Sequence, residues 1–183
     1  MDKRKLIAIT LGDPAGVGPE IAAKLISKVS YEKDSRLVLV GAWWSLEMGA
    51  AAVNLELPDI PTIKNFGDCV HGLSFMEIGL KKPKSFSYGK VQAYCGRIAV
   101  ESVERAAEGC LKKELAAMVT CPLNKESIHA AGFIDDLGHQ EILSRLSGVD
   151  WTATMLMTPG LKVAHLSTHK SLIEAAKYVT QSN

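Results

Sequence analysis

The chain has 183 residues, a mass of 19.7 kDa and a formal net charge of +1 at pH 7. Hydrophobic residues make up 47% and charged residues 22%, which excludes a disordered chain, a collagen-like repeat and a disulfide-rich miniprotein. The balanced charges supply no basic excess for nucleic acid or an anionic membrane surface, so we expect neither as a partner.

Two further features of the composition point to the compartment. No apolar run approaches the ~20 residues of a membrane-spanning helix, and the start MDKRKLIAIT lacks a signal-peptide apolar core and cleavage site. The four cysteines, Cys69, Cys95, Cys110 and Cys121, form no CxxC pair. Their spacing predicts reduced, mostly buried thiols rather than a zinc cluster. The sequence therefore predicts a cytoplasmic protein.

Strands and helices alternate along the chain. An apolar strand over residues 5–10 leads through a glycine-rich turn into a helix that begins near Pro19, whose missing N–H costs nothing in a first helical turn. Further strands are predicted over 36–42, 62–65, 75–78, 116–121, 152–157 and 162–168. Further helices are predicted over 43–53, 91–113, 124–131, 139–147 and 171–180; apolar residues recur at helical spacing in the second of these, and Ser171 can cap the last. This alternation predicts an α/β fold with a mostly parallel sheet, in which ligands bind beyond the carboxyl ends of strands.

The first segment that could carry chemistry is the turn GDPAGVGPE at residues 12–20. It is neither the phosphate-binding loop GxxxxGK[ST] nor the dinucleotide fingerprint GxGxxG. Its glycines allow close backbone approach, and the free N–H groups of a helix start can bind an anion. Asp13 could order this loop or a partner residue. A purely structural turn between strand and helix is the alternative.

Two further segments also follow predicted strands or begin helices. In VTCPLNKE at 119–126, Lys125 could pair with a phosphate or carboxylate, while Asn124 could serve only as a helix cap. In GHQE at 138–141, a histidine and a polar residue at a helix start could bind an anion with help from the helix dipole. A surface lysine and an ordinary capped helix are the respective alternatives.

The fourth segment, HLSTHK at 165–170, contains two histidines at the end of a predicted strand. His169 is the better candidate for a metal ligand, because it lies at the strand end, whereas His165 is typical of a core position. A catalytic metal needs about three protein ligands, and the chain offers no obvious third histidine.

The segments ITLGDPAGVGPE, the Gly-Lys pair at 89–90, VTCPLNKESIHAAG, GHQE and STHKSL occur in one order along nearly the whole chain. This combination resembles the 4-hydroxythreonine-4-phosphate dehydrogenase family of the vitamin B6 (pyridoxine) pathway. The resemblance implies a two-domain α/β/α sandwich like that of the isocitrate and isopropylmalate dehydrogenases. Residues 1–125 would form the first domain and residues 126–183 the start of the second. It also implies a homodimer with its active site in the cleft between domains.

The resemblance further implies a reaction. A phosphorylated hydroxy acid such as 4-phosphohydroxy-L-threonine is oxidised and decarboxylated, with NAD or NADP as hydride acceptor. A divalent metal, zinc first, with magnesium or cobalt as alternatives, would stabilise the alkoxide and the charge that develops during decarboxylation. His139 and Gln140 correspond to substrate contacts and His169 to the first of three metal-binding histidines. Asp13, Asn124 and Lys125 fall in family signatures as cleft residues.

Two departures from the family pattern change these expectations. Gln140 stands where the family has threonine, which leaves open related branches that act on phosphorylated threonate or erythronate, or on cis-dihydrodiols. The chain ends at Asn183, whereas family members are nearly twice as long. We therefore expect weak metal binding, incomplete turnover and an exposed part of the core. The alternative is a non-catalytic relative that acts as an anion-binding and dimerisation module.

Overall fold

The computed structural model describes residues 5–28, 35–70, 72–79, 81–136, 138–149, 152–167 and 170–180. Its contacts divide the chain into two compact units, Met1–Ser147 and Gly148–Asn183. The predicted domain boundary between residues 125 and 126 falls inside the first unit. As a statement about the domains of the whole protein, that boundary remains a prediction.

The first unit is a parallel sheet with helices on both faces. Its strands lie in the order Thr62–Ile63 (β3), Leu73–Glu77 (β4), Ser35–Gly41 (β2), Lys5–Thr10 (β1) and Ala117–Thr120 (β5), and every pairing is parallel. The predicted α/β class is thereby confirmed. The elements in chain order are β1 Lys5–Thr10, α1 Gly18–Lys28, β2 Ser35–Gly41, α2 Trp43–Ala52, β3 Thr62–Ile63, β4 Leu73–Glu77, α3 Ala93–Leu111, β5 Ala117–Thr120, α4 Lys125–Ala130 and α5 His139–Ser147.

The central strands are apolar on both faces because helices cover both faces of a parallel sheet. In β2, Leu37 and Leu39 belong to the cluster that includes residues of α1 and α2. The alternate residues Val38 and Val40 belong to the opposite cluster, which includes Ala106 of α3. The run of aliphatic residues in β2 is thus divided between two cores, as the alternation of side chains along a strand requires.

Helix α3 sets the positions of α4 and α5. Val100 and Val103 of α3 pack with Ile128 of α4 and Ile142 of α5 in a third apolar cluster. A Cβ atom on Gly96 would lie only 2.0 Å from the carbonyl oxygen of Ser127, so glycine permits the close approach of α3 and α4. This packing positions α4 and α5, the two helices that follow β5, against α3.

The second unit contains a hairpin and a short helix. Strands β6 (Met155–Thr158) and β7 (Leu161–Ala164) pair in antiparallel fashion and form a sheet of their own. Their pairing differs from the mostly parallel pattern predicted, because two residues, Pro159 and Gly160, connect them, and a parallel crossover needs a dozen or more. Met155, Leu156 and Met157 of β6 are more than half exposed.

The last helix, α6 (Leu172–Tyr178), begins as the sequence predicted. The Ser171 hydroxyl accepts a hydrogen bond from the Glu174 backbone N–H at 3.3 Å, and the Glu174 carboxylate accepts one from the Ser171 N–H at 3.1 Å. These reciprocal bonds form a capping box.

The expectation of mostly buried thiols is met in the described part of the chain. Cys69, Cys95 and Cys121 are buried, Cys110 is half-buried, and none of the four forms a disulfide. No helix among the described residues combines the length and the apolar character needed to cross a bilayer.

Candidate active site at the carboxyl ends of two parallel strands

The sheet order creates a switch point beside β1. The chain passes from β1 to β2 on one side, and later places β5 on the other side of β1. Ligands of parallel α/β sheets bind where the strand order reverses in this way, outside the carboxyl ends of the strands. The segments that follow β1 and β5 are the glycine-rich turn and the Cys121–Asn124 stretch. The fold therefore brings the first two predicted segments together.

The glycine-rich turn lies directly on the segment that follows β5. The Asp13 backbone N–H donates to the Pro122 carbonyl at 3.0 Å, and the Cys121 N–H donates to the Thr10 carbonyl at 3.1 Å. Gly12 has a φ of +70°, and a Cβ atom there would lie 2.1 Å from the Pro122 oxygen. The turn needs glycine at this position both for its backbone angle and for the contact.

Asp13 orders the turn from within. Its side chain is buried, and its Oδ1 atom accepts a hydrogen bond from the Ala15 N–H at 2.7 Å. The Ser127 side chain also hydrogen-bonds to this carboxylate, while the Ser127 N–H donates to Asn124 Oδ1 at 2.9 Å. Asp13 thus links the turn after β1 to the first turn of α4. Burial raises the pKa of Asp13, and the Ala15 and Ser127 hydrogen bonds oppose this effect.

The raised pKa of Asp13 makes stability depend on pH. The folded protein binds a proton more readily than the unfolded chain, so stability falls as pH rises from the usual Asp value of 3.8 through the folded-state pKa. As pH rises between these two pKa values, we expect the urea midpoint of the wild type to fall relative to that of Asp13→Asn. The asparagine does not titrate, so that variant lacks this pH dependence. Asp59→Asn, at an exposed carboxylate, is the control. A wild-type to Asp13→Asn difference that is constant with pH contradicts this prediction.

A cavity of about 300 Å³ opens beside Asp13. It lies between the glycine-rich turn, the Gly89–Val91 segment and the Pro122–Asn124 segment, and it is lined by residues 13, 15–17, 89–91 and 122–124. Asp13 and Asn124, both predicted cleft residues, belong to this lining. Lys125, the third, is exposed as the first residue of α4 and is not part of the lining.

Lys90 lines the cavity, although sequence reasoning gave it no role. The Gly89 N–H donates to the Ala15 carbonyl at 2.9 Å, which ties this segment to the glycine-rich turn. On its other side, Gln92 Nε2 donates to the carbonyls of Ser87 at 2.8 Å and Lys90 at 3.4 Å. The Gly-Lys pair was visible in the sequence, but only the tertiary contact with Ala15 reveals its place.

The cysteines beside the site do not provide a nucleophile. Burial raises the pKa of Cys95 to about 12 and that of Cys121 to about 11, and the nearby Asp13 carboxylate also raises the Cys95 value. Both thiols are therefore protonated near neutral pH, whereas cysteine catalysis requires the thiolate. The arrangement favours chemistry performed on a bound ligand over covalent catalysis by sulfur.

His139, the first residue of α5, lies against the strand end rather than in the cavity lining. Its imidazole hydrogen-bonds to the Cys121 backbone, one residue before the lining begins. Burial lowers the pKa of His139, and its Nε2 atom is buried without a hydrogen-bond partner among the described residues. Gln140 follows it on α5 and is half-buried. His139 is thus a neutral imidazole with one nitrogen already engaged.

His169, the predicted metal ligand, lies outside the described residues. Within the described ranges, no three His, Cys, Asp or Glu side chains come together as a metal site. The described part of the chain therefore does not by itself fit a catalytic metal, which takes about three protein ligands.

Comparison with known proteins decides the family. Residues 33–183 match the family model described as pyridoxal phosphate biosynthetic protein PdxA. The chain belongs to this family. This chain is also similar to D-threonate 4-phosphate dehydrogenase from Salmonella typhimurium, with 37% identity over 171 residues. The match covers 92% of this chain and 52% of that protein. The chain spans about half the length of the curated relatives it matches.

Solved structures of PdxA-type enzymes share the fold. A 4-hydroxythreonine-4-phosphate dehydrogenase from Klebsiella pneumoniae superposes with a TM-score of 0.87 at 32% identity, over 98% of this chain and 55% of that one. The predicted dehydrogenase-like fold is thereby confirmed for about half of its length. A terephthalate 1,2-cis-dihydrodiol dehydrogenase from Burkholderia xenovorans, at 20% identity and a TM-score of 0.71, shares the fold alone.

Proposed function

We propose that the protein is an NAD- or NADP-linked dehydrogenase of a phosphorylated hydroxy acid, with decarboxylation of the oxidised product. The names of the relatives suggest two substrates, 4-phosphohydroxy-L-threonine and D-threonate 4-phosphate. The observation that carries the proposal is the PdxA family match over residues 33–183. The cavity at the switch point of the sheet supports it, because parallel α/β enzymes bind their ligands there.

His139 and Gln140 are the proposed substrate contacts. The imidazole hydrogen bond to the Cys121 backbone fits Nδ1–H as donor to the carbonyl, which leaves Nε2 as an acceptor. A neutral acceptor nitrogen suits a substrate hydroxyl, which must lose its proton as it becomes a ketone. Gln140 would add a longer amide where the family has threonine, so its effect would fall on the choice between substrates.

A nicotinamide cofactor would accept the hydride from the carbinol carbon. The apolar cavity with one lysine at its edge fits part of such a cofactor. For the metal, we propose His169 as one ligand, with zinc first and magnesium or cobalt as alternatives. The described residues do not complete a ligand set for such an ion. A role in pyridoxine biosynthesis, a homodimeric assembly and a cytoplasmic location complete the proposal.

The test is cofactor reduction by the purified protein, with each of the two phosphorylated acids, with NAD or NADP, and with each metal. We expect the absorbance of reduced nicotinamide to rise with at least one acid, and to rise slowly, because incomplete turnover is expected of this chain. Gln140→Thr is expected to shift the ratio of kcat/KM values toward 4-phosphohydroxy-L-threonine by roughly tenfold. Ser147→Thr, at the exposed far end of α5, is the control.

Two outcomes would overturn parts of this proposal. Binding of a phosphorylated acid without any reduction of cofactor, under all metal conditions, would favour the anion-binding and dimerisation module instead. An unchanged ratio of kcat/KM values in Gln140→Thr would remove Gln140 from the substrate pocket and leave the dehydrogenase activity itself intact.

A further inference from the structure

We infer that the cavity beside Asp13 binds the nicotinamide mononucleotide half of the cofactor, with the ring between its apolar walls and the phosphate on Lys90. The inference rests on the proposed function for the choice of cofactor. It assigns the cavity to the cofactor rather than to the phosphorylated acid.

The walls of the cavity decide between these two ligands. Most of the lining is apolar, and two of its side chains, Val17 and Val91, are 53% and 48% exposed. Covering exposed, branched apolar side chains at a cavity with an apolar surface lowers the free energy, because apolar area is removed from water. A phosphorylated four-carbon hydroxy acid carries charged or hydroxyl groups along its whole length and cannot supply that surface. A planar heteroaromatic ring can.

The charges of the cavity match the other end of a mononucleotide. Lys90 and Asp13 are the charged side chains of the lining, and the Asp13 carboxylate is already held by Ala15 and Ser127. The Lys90 ammonium is therefore the group suited to a phosphate. Asn124 uses Oδ1 to cap α4, which leaves its amide Nδ2 as a donor for the carboxamide oxygen of the ring.

The segment that carries Lys90 is held in place before any ligand arrives. Its backbone is bonded to Ala15 on one side and to the Gln92 amide on the other. Preceding it, Phe86 makes edge contacts with Trp44 and Tyr88, with ring centroids 5.0 and 5.2 Å apart. A site built this way pays little ordering entropy when it binds. Trp44, which contacts Phe86 in the same loop as Lys90, provides a fluorescent reporter.

The inference is tested with the 183-residue chain by tryptophan fluorescence and ligand-observed NMR, using nicotinamide mononucleotide, nicotinamide riboside and inorganic phosphate as probes. We expect the mononucleotide to bind more tightly than either of the others. Lys90→Ala should weaken the mononucleotide about tenfold and leave the riboside, which has no phosphate, unchanged. Lys84→Ala, an exposed lysine on the same loop, is the matched control.

Two further variants test the apolar walls. Val91→Asp places a carboxylate at the cavity and should abolish mononucleotide binding. Gly16→Ala should weaken mononucleotide binding, because Gly16 lines the cavity and an added methyl group would take up part of its space. The methyl group itself would contact only Asp13 atoms, at 3.4 Å or more. Circular dichroism of each variant establishes that it is folded.

The outcomes separate this inference from the proposed function. Cofactor reduction that survives Lys90→Ala and Val91→Asp with unchanged mononucleotide affinity overturns the inference and leaves the function intact. Phosphate that binds as tightly as the mononucleotide also overturns it, in favour of a simple anion site. Lys90-dependent binding of the mononucleotide without any oxidation of a phosphorylated acid supports the inference and contradicts the function.

Discussion

Gly12→Ala is expected to lower the free energy of unfolding by roughly 2–5 kcal/mol, which combines a left-handed backbone penalty with overpacking. Gly12 has a φ of +70°, and the added methyl group would lie 2.1 Å from the Pro122 carbonyl oxygen. The Asp13 N–H donates to this same carbonyl, so the turn cannot move away without losing that hydrogen bond. Urea denaturation followed by circular dichroism measures the change.

Gly16→Ala in the same turn is the matched control for Gly12→Ala. Its nearest contact would be 3.4 Å from the Asp13 carbonyl oxygen, an ordinary van der Waals distance, so its unfolding free energy should change by less than about 1 kcal/mol. If Gly12→Ala proves no more destabilising than Gly16→Ala, the close contact of the turn with the segment after β5 is wrong.

Arg145→Met is expected to destabilise the protein by about 2–3 kcal/mol. The Arg145 guanidinium donates to both Asp136 oxygens, at 2.7 and 3.3 Å, and to Glu104 of α3 at 3.0 Å. The Asp136 side chain is only 5% exposed, so methionine leaves a buried carboxylate without this partner. The loss is smaller than for a fully buried pair, because Arg145 itself is 45% exposed and solvent screens the interaction.

The effect of Arg145→Met should also reach the candidate site. Arg145 lies in α5, which His139 begins, and its three hydrogen bonds hold that helix to Glu104 of α3 and to Asp136 in the segment before α5. We expect the NMR signals of the His139 imidazole to shift in this variant. Arg97→Met, which breaks an exposed pair with Glu101 at 4.0 Å, is the control and should cost below about 1 kcal/mol. If the two variants lose the same free energy of unfolding, the hydrogen bonds of Arg145 stabilise the protein no more than an exposed ion pair does.

The site described here combines two kinds of residue with different tasks. Asp13, Ser127 and Gly12 hold the turn and the strand ends together, and their loss acts first on stability. Lys90 and Gln140 carry the proposed ligand contacts, and their replacement is expected to act on affinity or on substrate choice. Stability and ligand binding measured on the same variants can therefore assign each residue to one task.

Local patterns in the sequence were sufficient to predict the α/β class and the positions of most elements. The aliphatic run of β2, the helical periodicity of α3 and the Ser171 cap each arise from interactions between residues near in the chain, which local patterns record. The motifs also placed the chain in its family, and they pointed to Asp13 and Asn124, which the fold brings to one cavity.

Which segments come into contact follows from the folded structure and not from local patterns. The contact of Gly89 with Ala15 joins residues 74 positions apart in the chain, and no local pattern encodes such a pairing. The same reason explains why Lys90 gained a place in the cavity while Lys125, in a more conspicuous motif, did not. Strand order, which depends on how helices pack across the sheet, places β1 beside β5 and thereby creates the switch point at which this cavity lies.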